Sequence, residues 1–91
     1  MTSGIEYIRA PQPDYPHISR RLREEGKSIL QVLVNDKGGA ERIEVHKSSG
    51  SARLDEAARQ AVSRALFKPF IEDGRPVARY ALVEIVFQLD S

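Results

Sequence analysis

Residues 78–89, Ala-Arg-Tyr-Ala-Leu-Val-Glu-Ile-Val-Phe-Gln-Leu, are the longest strand-like run in the chain. Ala81, Val83, Ile85, Phe87 and Leu89 alternate with Tyr80, Leu82, Glu84, Val86 and Gln88, which is the period of a half-buried strand with its odd-numbered side toward a core. Whatever else the chain does, it must supply that strand with a neighbour and that side with a cover.

Both lie upstream. Leu54, Ala57, Ala58, Ala61, Val62, Ala65 and Leu66 recur at helical spacing, so residues 51–68 read as an amphipathic helix that Pro69 ends. Ser51 is a plausible N-cap, and Asp55 and Glu56 suit the positive end of the helix dipole. The alanines on the stripe let the helix approach a sheet closely. Glu72-Asp-Gly-Arg-Pro76 then forms the turn into the final strand.

Earlier still, Lys27–Asn35 alternates with Leu30, Val32 and Val34 on one face, and Ala40–Lys47 returns with Ile43 and Val45 inward. Asn35-Asp-Lys-Gly-Gly39 between them is hairpin chemistry. Pro16–Glu25 reads as a short basic helix with Ile18 and Leu22 on its apolar face and Gly26 as its stop. Pro11 and Pro13 favour an extended approach to Tyr15. Residues 1–11 are expected to be a flexible linker, led by a Met-Thr-Ser-Gly start that suggests a domain taken from a longer protein, and residues 12–91 the folded domain.

The hairpin strands must pair. The last strand arrives after a helix, so it lies parallel beside the second strand or antiparallel beside the first, and it is never the middle one. A small sheet with one open face favours the antiparallel choice. The expected fold class is α+β, a three-stranded antiparallel sheet of order 2-1-3 with two helices packed on one face. At ~3.3 Å per residue the last strand could run about 40 Å against about 30 Å for its neighbour. It is therefore expected to overhang, leaving a long row of unpaired amides and carbonyls to which a foreign strand can be added.

Composition narrows the rest. Ninety-one residues, 41% hydrophobic and 30% charged, make one small soluble-type domain with no space for a deep enclosed active site. A net charge of +1 gives no overall field to attract nucleic acid. Cysteine is absent, and His17 and His46 are far apart in sequence, so neither a disulfide, a metal site nor a cofactor is expected. Ser48, Ser49 and Ser51 have no nucleophile elbow around them and read as loop and cap residues. Asp36-Lys-Gly-Gly joins two strands and so is no phosphate loop. No residues are nominated as catalytic. Arg20, Arg21, Arg23 and Lys27 read as a solvated helix face.

In order along the chain, Gln12-Pro-Asp-Tyr-Pro16, Glu25-Gly26, Gly38, Ile43 and Val45, Ser48-Ser-Gly50, Leu54-Asp55 with Ala57-Ala58, Ala61-Val62, Phe67-Lys-Pro69, Gly74-Arg-Pro-Val77 and Phe87 make up an ordered set. It resembles the C-terminal domain of the TonB family, the periplasmic energy transducers of Gram-negative bacteria, over residues 12–89. One position departs, since Ala65 stands where the family commonly has Trp. The resemblance implies an inner-membrane anchor, an ExbB/ExbD-type motor acting on the region before the domain, and docking in the periplasm on outer-membrane receptors that import iron chelates, vitamin B12 or similar cargo. The family's receptor segment, the TonB box, adds beside the last strand. By position this nominates Gln12, Asp14 and Tyr15 as side-chain contacts, and Ala81, Leu82, Val83, Glu84, Ile85, Val86 and Phe87 as the backbone platform. Peptidoglycan is a further expected contact, and dimerisation through the last strand is expected of the isolated domain. The alternatives are a small nucleic-acid-binding module, which would want more aromatics on the open sheet face than Tyr80, and another periplasmic interaction domain of the TolA kind.

Overall fold

The structure is a computed structural model, and it describes residues 5–90. Its elements in order are β1 (Tyr7–Arg9), α1 (His17–Arg21), β2 (Gly26–Val34), β3 (Ala40–Lys47), α2 (Ala52–Ser63), β4 (Leu66–Phe67), β5 (Phe70–Glu72), β6 (Arg75–Val77) and β7 (Arg79–Phe87). The main sheet has three strands in the order β3-β2-β7, with both pairings antiparallel. This is the expected 2-1-3 arrangement.

β2 is central because it is the strand that is apolar on both faces. Leu30, Val32 and Val34 are fully buried on one side, and Ile29 and Leu33 are half-buried on the other. On the core side they meet Val83, Ile85 and Phe87 of β7, and Leu54, Ala58 and Val62 of α2 close the layer. Ser51 caps α2 by accepting a hydrogen bond from the Leu54 amide at 3.3 Å.

Asp55 organises the corner where β3 hands over to α2. Its carboxylate accepts from the Ser28 hydroxyl at 2.7 Å and from the Ser49 amide and hydroxyl, each at 2.8 Å, and also from Ser48. Ser28 is fully buried, so this carboxylate satisfies a polar group the core would otherwise leave bare. Gly26 belongs to the same corner. A Cβ on it would come within 2.5 Å of the Ser49 carbonyl oxygen, so the close approach of strand to loop needs a residue without a side chain.

Several expectations are corrected. The first helix spans only His17–Arg21, because Arg23 adopts a left-handed φ of 57° and turns the chain into β2. Gly26 pairs with Phe87 as the first residue of that strand and is no helix stop. Ile18 and Leu22 do not face the core; they are 52% and 61% exposed. α2 ends at Ser63, short of Pro69, since Leu66 and Phe67 are drawn out as β4. The Phe67 amide donates to the Gly38 carbonyl at 2.8 Å, a tertiary bond that outweighs one more turn of helix. Tyr7–Arg9, in the stretch expected as linker, pairs with β4 as β1. Residues 70–77 are a hairpin, with Asp73 and Gly74 both at positive φ in its tip. Val45 is 40% exposed instead of buried, because β3 is the outer strand on that side and its register with β2 slips between Ile29 and Leu30. The last strand does not overhang: nine residues of β7 meet nine of β2, Arg79 opposite Val34 through Phe87 opposite Gly26.

Candidate functional site

β7 has a partner on one edge only. It ends the strand order of the main sheet, and among the described residues no strand pairs with its outer edge. In an antiparallel strand alternate residues turn their N–H and C=O away from the one neighbour, so the outer edge offers a ladder about half as dense as the strand is long. Its interruptions are Arg79, Glu84 and Gln88, and Glu84 is held over β2 by Lys27 at 3.7 Å. No proline or bulge blunts it: the β2–β7 register is continuous. The strand is rigidly backed, with Val83, Ile85 and Phe87 anchored in the core.

The other nominated residues divide. Tyr15 reaches the strand: its ring meets Phe87 edge to face, with centroids 5.4 Å apart. Its hydroxyl donates to the Glu24 carbonyl, and the Arg20 guanidinium lies 5.0 Å from its ring centroid. Burial, followed by the nearby Glu25 carboxylate, pushes the phenol pKa up. Gln12 and Asp14 are exposed and lie along α2 instead. Asp14 lines a groove of about 490 Å³ with Pro16, Ala52, Arg53 and Ala57, and Gln12 lines a second of about 510 Å³ with Arg9, Ala61 and Arg64. Gln12 and Asp14 are therefore strung along α2, while Tyr15 lies against the last strand.

Two neighbours of the edge were not legible as such in the sequence. Ile5 and Tyr7 border a shallow concavity of about 280 Å³ with Leu82, Val83 and Glu84, the middle of β7. The available signal was Ile5-Glu6-Tyr7, too short a run to mark a strand by itself. They do not close the edge, because the backbone beside them is occupied elsewhere. β1 pairs with β4, and the Glu6 carbonyl accepts from the Lys68 amide at 2.9 Å. Tyr7 packs tilted against Phe67 with ring centroids 5.1 Å apart and an interplanar angle of 47°.

Among the described residues no three His, Cys, Asp or Glu side chains gather where they could hold a metal ion. The most perturbed carboxylate, Asp55, is engaged by its serines. What the arrangement offers is main-chain donors and acceptors on a rigid support.

The fold and this edge define a class: a small α+β domain whose last strand is left as the outer strand of its sheet. The chain belongs to the family described as Gram-negative bacterial TonB protein C-terminal, whose model matches residues 11–89. It is 34% identical over 80 residues to Protein TonB of Vibrio cholerae, covering 88% of this chain and 33% of that protein. It is 37% identical over 89 residues to Protein tonB2 of Pseudomonas aeruginosa, covering 98% of this chain and 33% of that one. The chain thus spans about a third of the length of these curated relatives. Among solved structures, the solution NMR structure of the Pseudomonas aeruginosa TonB CTD superposes with a TM-score of 0.80 at 28% identity, covering 98% of this chain and 90% of the other.

Proposed function

We propose that residues 12–91 form the receptor-docking module of a TonB-type energy transducer, and that a receptor's TonB box is added as a strand along the outer edge of β7. The observation that carries this is the edge itself. Nine residues of β7 are paired in unbroken register on one side, have no strand on the other among the described residues, and have a hydrophobic anchor beneath.

The chemistry is that of the main chain. Several backbone hydrogen bonds, each contributing about 0.5–1.5 kcal/mol net, give a modest affinity. They also tolerate varied partner sequences, since every peptide carries the same backbone. Ala81–Phe87 provide the platform. Tyr15, fixed against Phe87 at 5.4 Å, borders its C-terminal end, while Gln12 and Asp14 contribute from the neighbouring segment. A pull directed along the added strand loads all these bonds in shear at once, so a contact that is weak at equilibrium can transmit a tug.

In this reading the domain works in the periplasm and belongs to a protein anchored in the inner membrane. An ExbB/ExbD-type motor acts on the anchored end, and receptors for iron chelates, vitamin B12 or similar cargo are the partners. Peptidoglycan contact is part of the same proposal. The test is a titration of isotope-labelled domain with a box peptide. Amide signals of residues 12–16 and 79–88 are expected to move; signals that stay fixed there, or that move only over 20–27 on adding an oligonucleotide, would favour the nucleic-acid alternative.

A further inference from the structure

α1 is inside out. Ser19 is fully buried, while Ile18 and Leu22 are 52% and 61% exposed. They are four residues apart and so lie on the same face of the turn. Local bonding fixes this rotation: the Tyr15 hydroxyl donates to the Glu24 carbonyl, and the Glu24 amide donates to the Ser19 carbonyl at 2.8 Å. With Tyr15 held on Phe87, α1 cannot roll its apolar pair inward without breaking that set.

The charges around the pair are unbalanced. Arg20, Arg21 and Arg23 are exposed, and none has a carboxylate within ion-pair distance among the described residues. The nearby acids are engaged. Glu24 accepts from Ser51 at 2.9 Å and from Arg53 at 3.0 Å, and Glu25 accepts from the Leu89 amide at 2.8 Å. Arg20 lies over the Tyr15 ring, and an apolar pair beside Arg21 and Arg23, neither with a carboxylate partner among the described residues, is complementary to a partner that is both apolar and acidic.

Its position names the partner. α1 begins two residues after Tyr15, whose ring lies on the last residue of β7. A segment laid along the outer edge of β7 runs out at Phe87, where Tyr15, two residues before α1, lies against it. We propose that Ile18 and Leu22, with Arg21 and Arg23 beside them, bind the flank of the docking peptide that continues past the Phe87 end of β7, and that they select flanks combining apolar with acidic residues. The inference rests on β7 being the docking edge. A peptide already held there meets α1 as a tethered second contact, so even a small surface raises the overall affinity. A lipid surface fits less well, since one apolar side chain on a five-residue helix and another on its C-cap make too little apolar face to hold a bilayer unaided.

The test uses three synthetic peptides that share one box segment and are extended at both ends by Asp-Leu-Asp-Ile, by Gly-Ser-Gly-Ser or by Lys-Leu-Lys-Ile, titrated calorimetrically into the domain. The acidic-apolar flank is expected to bind ~tenfold tighter than the Gly-Ser flank, with the advantage shrinking as salt is raised, and the Lys flank no tighter than Gly-Ser. The I18S/L22S double variant and R21Q, all at exposed positions, should remove the advantage while leaving the Gly-Ser affinity unchanged. Equal affinity for all three flanks overturns the inference and leaves docking at β7 intact. Failure of every peptide to bind overturns the docking reading, and this inference with it. Binding to phosphatidylglycerol vesicles without peptide, lost in I18S/L22S, overturns the peptide assignment in favour of a membrane one.

Discussion

The Asp55 carboxylate joins Ser28 of the central strand to the Ser48–Ser49 loop that starts α2, and this bonding also sets its acidity. Burial alone would raise its pKa, but the hydrogen bonds from Ser48, Ser49 and Ser28 outweigh burial and hold it at about 2, against an ordinary value of 3.8. The folded state therefore binds its proton more weakly than the unfolded chain does. The stabilisation is fully present above pH 3.8 and is lost as pH falls from there through about 2. Because the group is only half-buried and water screens it, the contribution is about 1 kcal/mol. Glu24 and Glu56, also held below their ordinary values by hydrogen bonds, add to the loss on acidification, so urea unfolding at pH 2 and pH 5 should show a difference about 1 kcal/mol larger in the native protein than in Asp55→Asn; equal pH slopes for the two would remove Asp55 as a cause. Gly38 is a second single-residue constraint. Its φ is +89°, and a Cβ there would come within 2.1 Å of the Phe67 carbonyl oxygen. Gly38→Ala must therefore shift either the hairpin or β4, and is expected to cost about 2–3 kcal/mol. A Tm unchanged from the native domain would show that the two segments move apart freely.

Among the elements, β7 carries the test of function. Adjacent residues in a strand point their amides to opposite edges, so one of Val83 and Glu84 donates toward β2 and the other outward. Proline at the outward one should weaken binding of a box peptide at least tenfold while unfolding stays cooperative. Proline at the inward one should destabilise the sheet itself. If peptide binding survives both substitutions, the outer edge of β7 is not where the peptide lies. α2 is held at its start by a cap that serves two purposes: the Ser51 hydroxyl receives the Leu54 amide and donates to Glu24 in the loop after α1. Ser51→Ala should cost about 1 kcal/mol. It should also loosen that loop, which amide exchange over residues 22–26 would report. Stability lost without faster exchange there would confine Ser51 to the cap alone.

At the scale of the whole molecule, the main sheet is covered on one face by α2 and leaves its other face open, and among the described residues neither of its outer strands, β3 and β7, has a strand partner on its outer edge. The open face carries half-exposed Tyr80 and largely exposed Val86 beside half-buried Ile29, Leu33 and Leu82. An unblunted edge of this kind pairs with its own kind at sufficient concentration. The isolated domain is accordingly expected to form dimers through β7, and a saturating box peptide should dissolve them because it occupies the same edge. Sedimentation that detects only monomer at millimolar concentration would count against self-pairing, and dimers insensitive to the peptide would place that contact on the open face.

The sequence by itself determined the class of fold. Period-two alternation marks β2, β3 and β7, the stripe from Leu54 onward marks α2, and the short turn at residues 35–39 forces a hairpin; these patterns leave few topologies for so small a chain. The ordered motifs from Gln12 to Phe87 named the family. Only the tertiary structure decided the ends of elements and the orientation of α1. Leu66 and Phe67 follow the helical stripe locally but are claimed by Gly38 and Tyr7, residues distant in sequence. Ile18 and Leu22 carry an inward pattern that a few hydrogen bonds around Ser19 and Glu24 override. Whether β7 overhung its neighbour was likewise set by its register with β2, because pairing length belongs to two strands together and cannot be read from one.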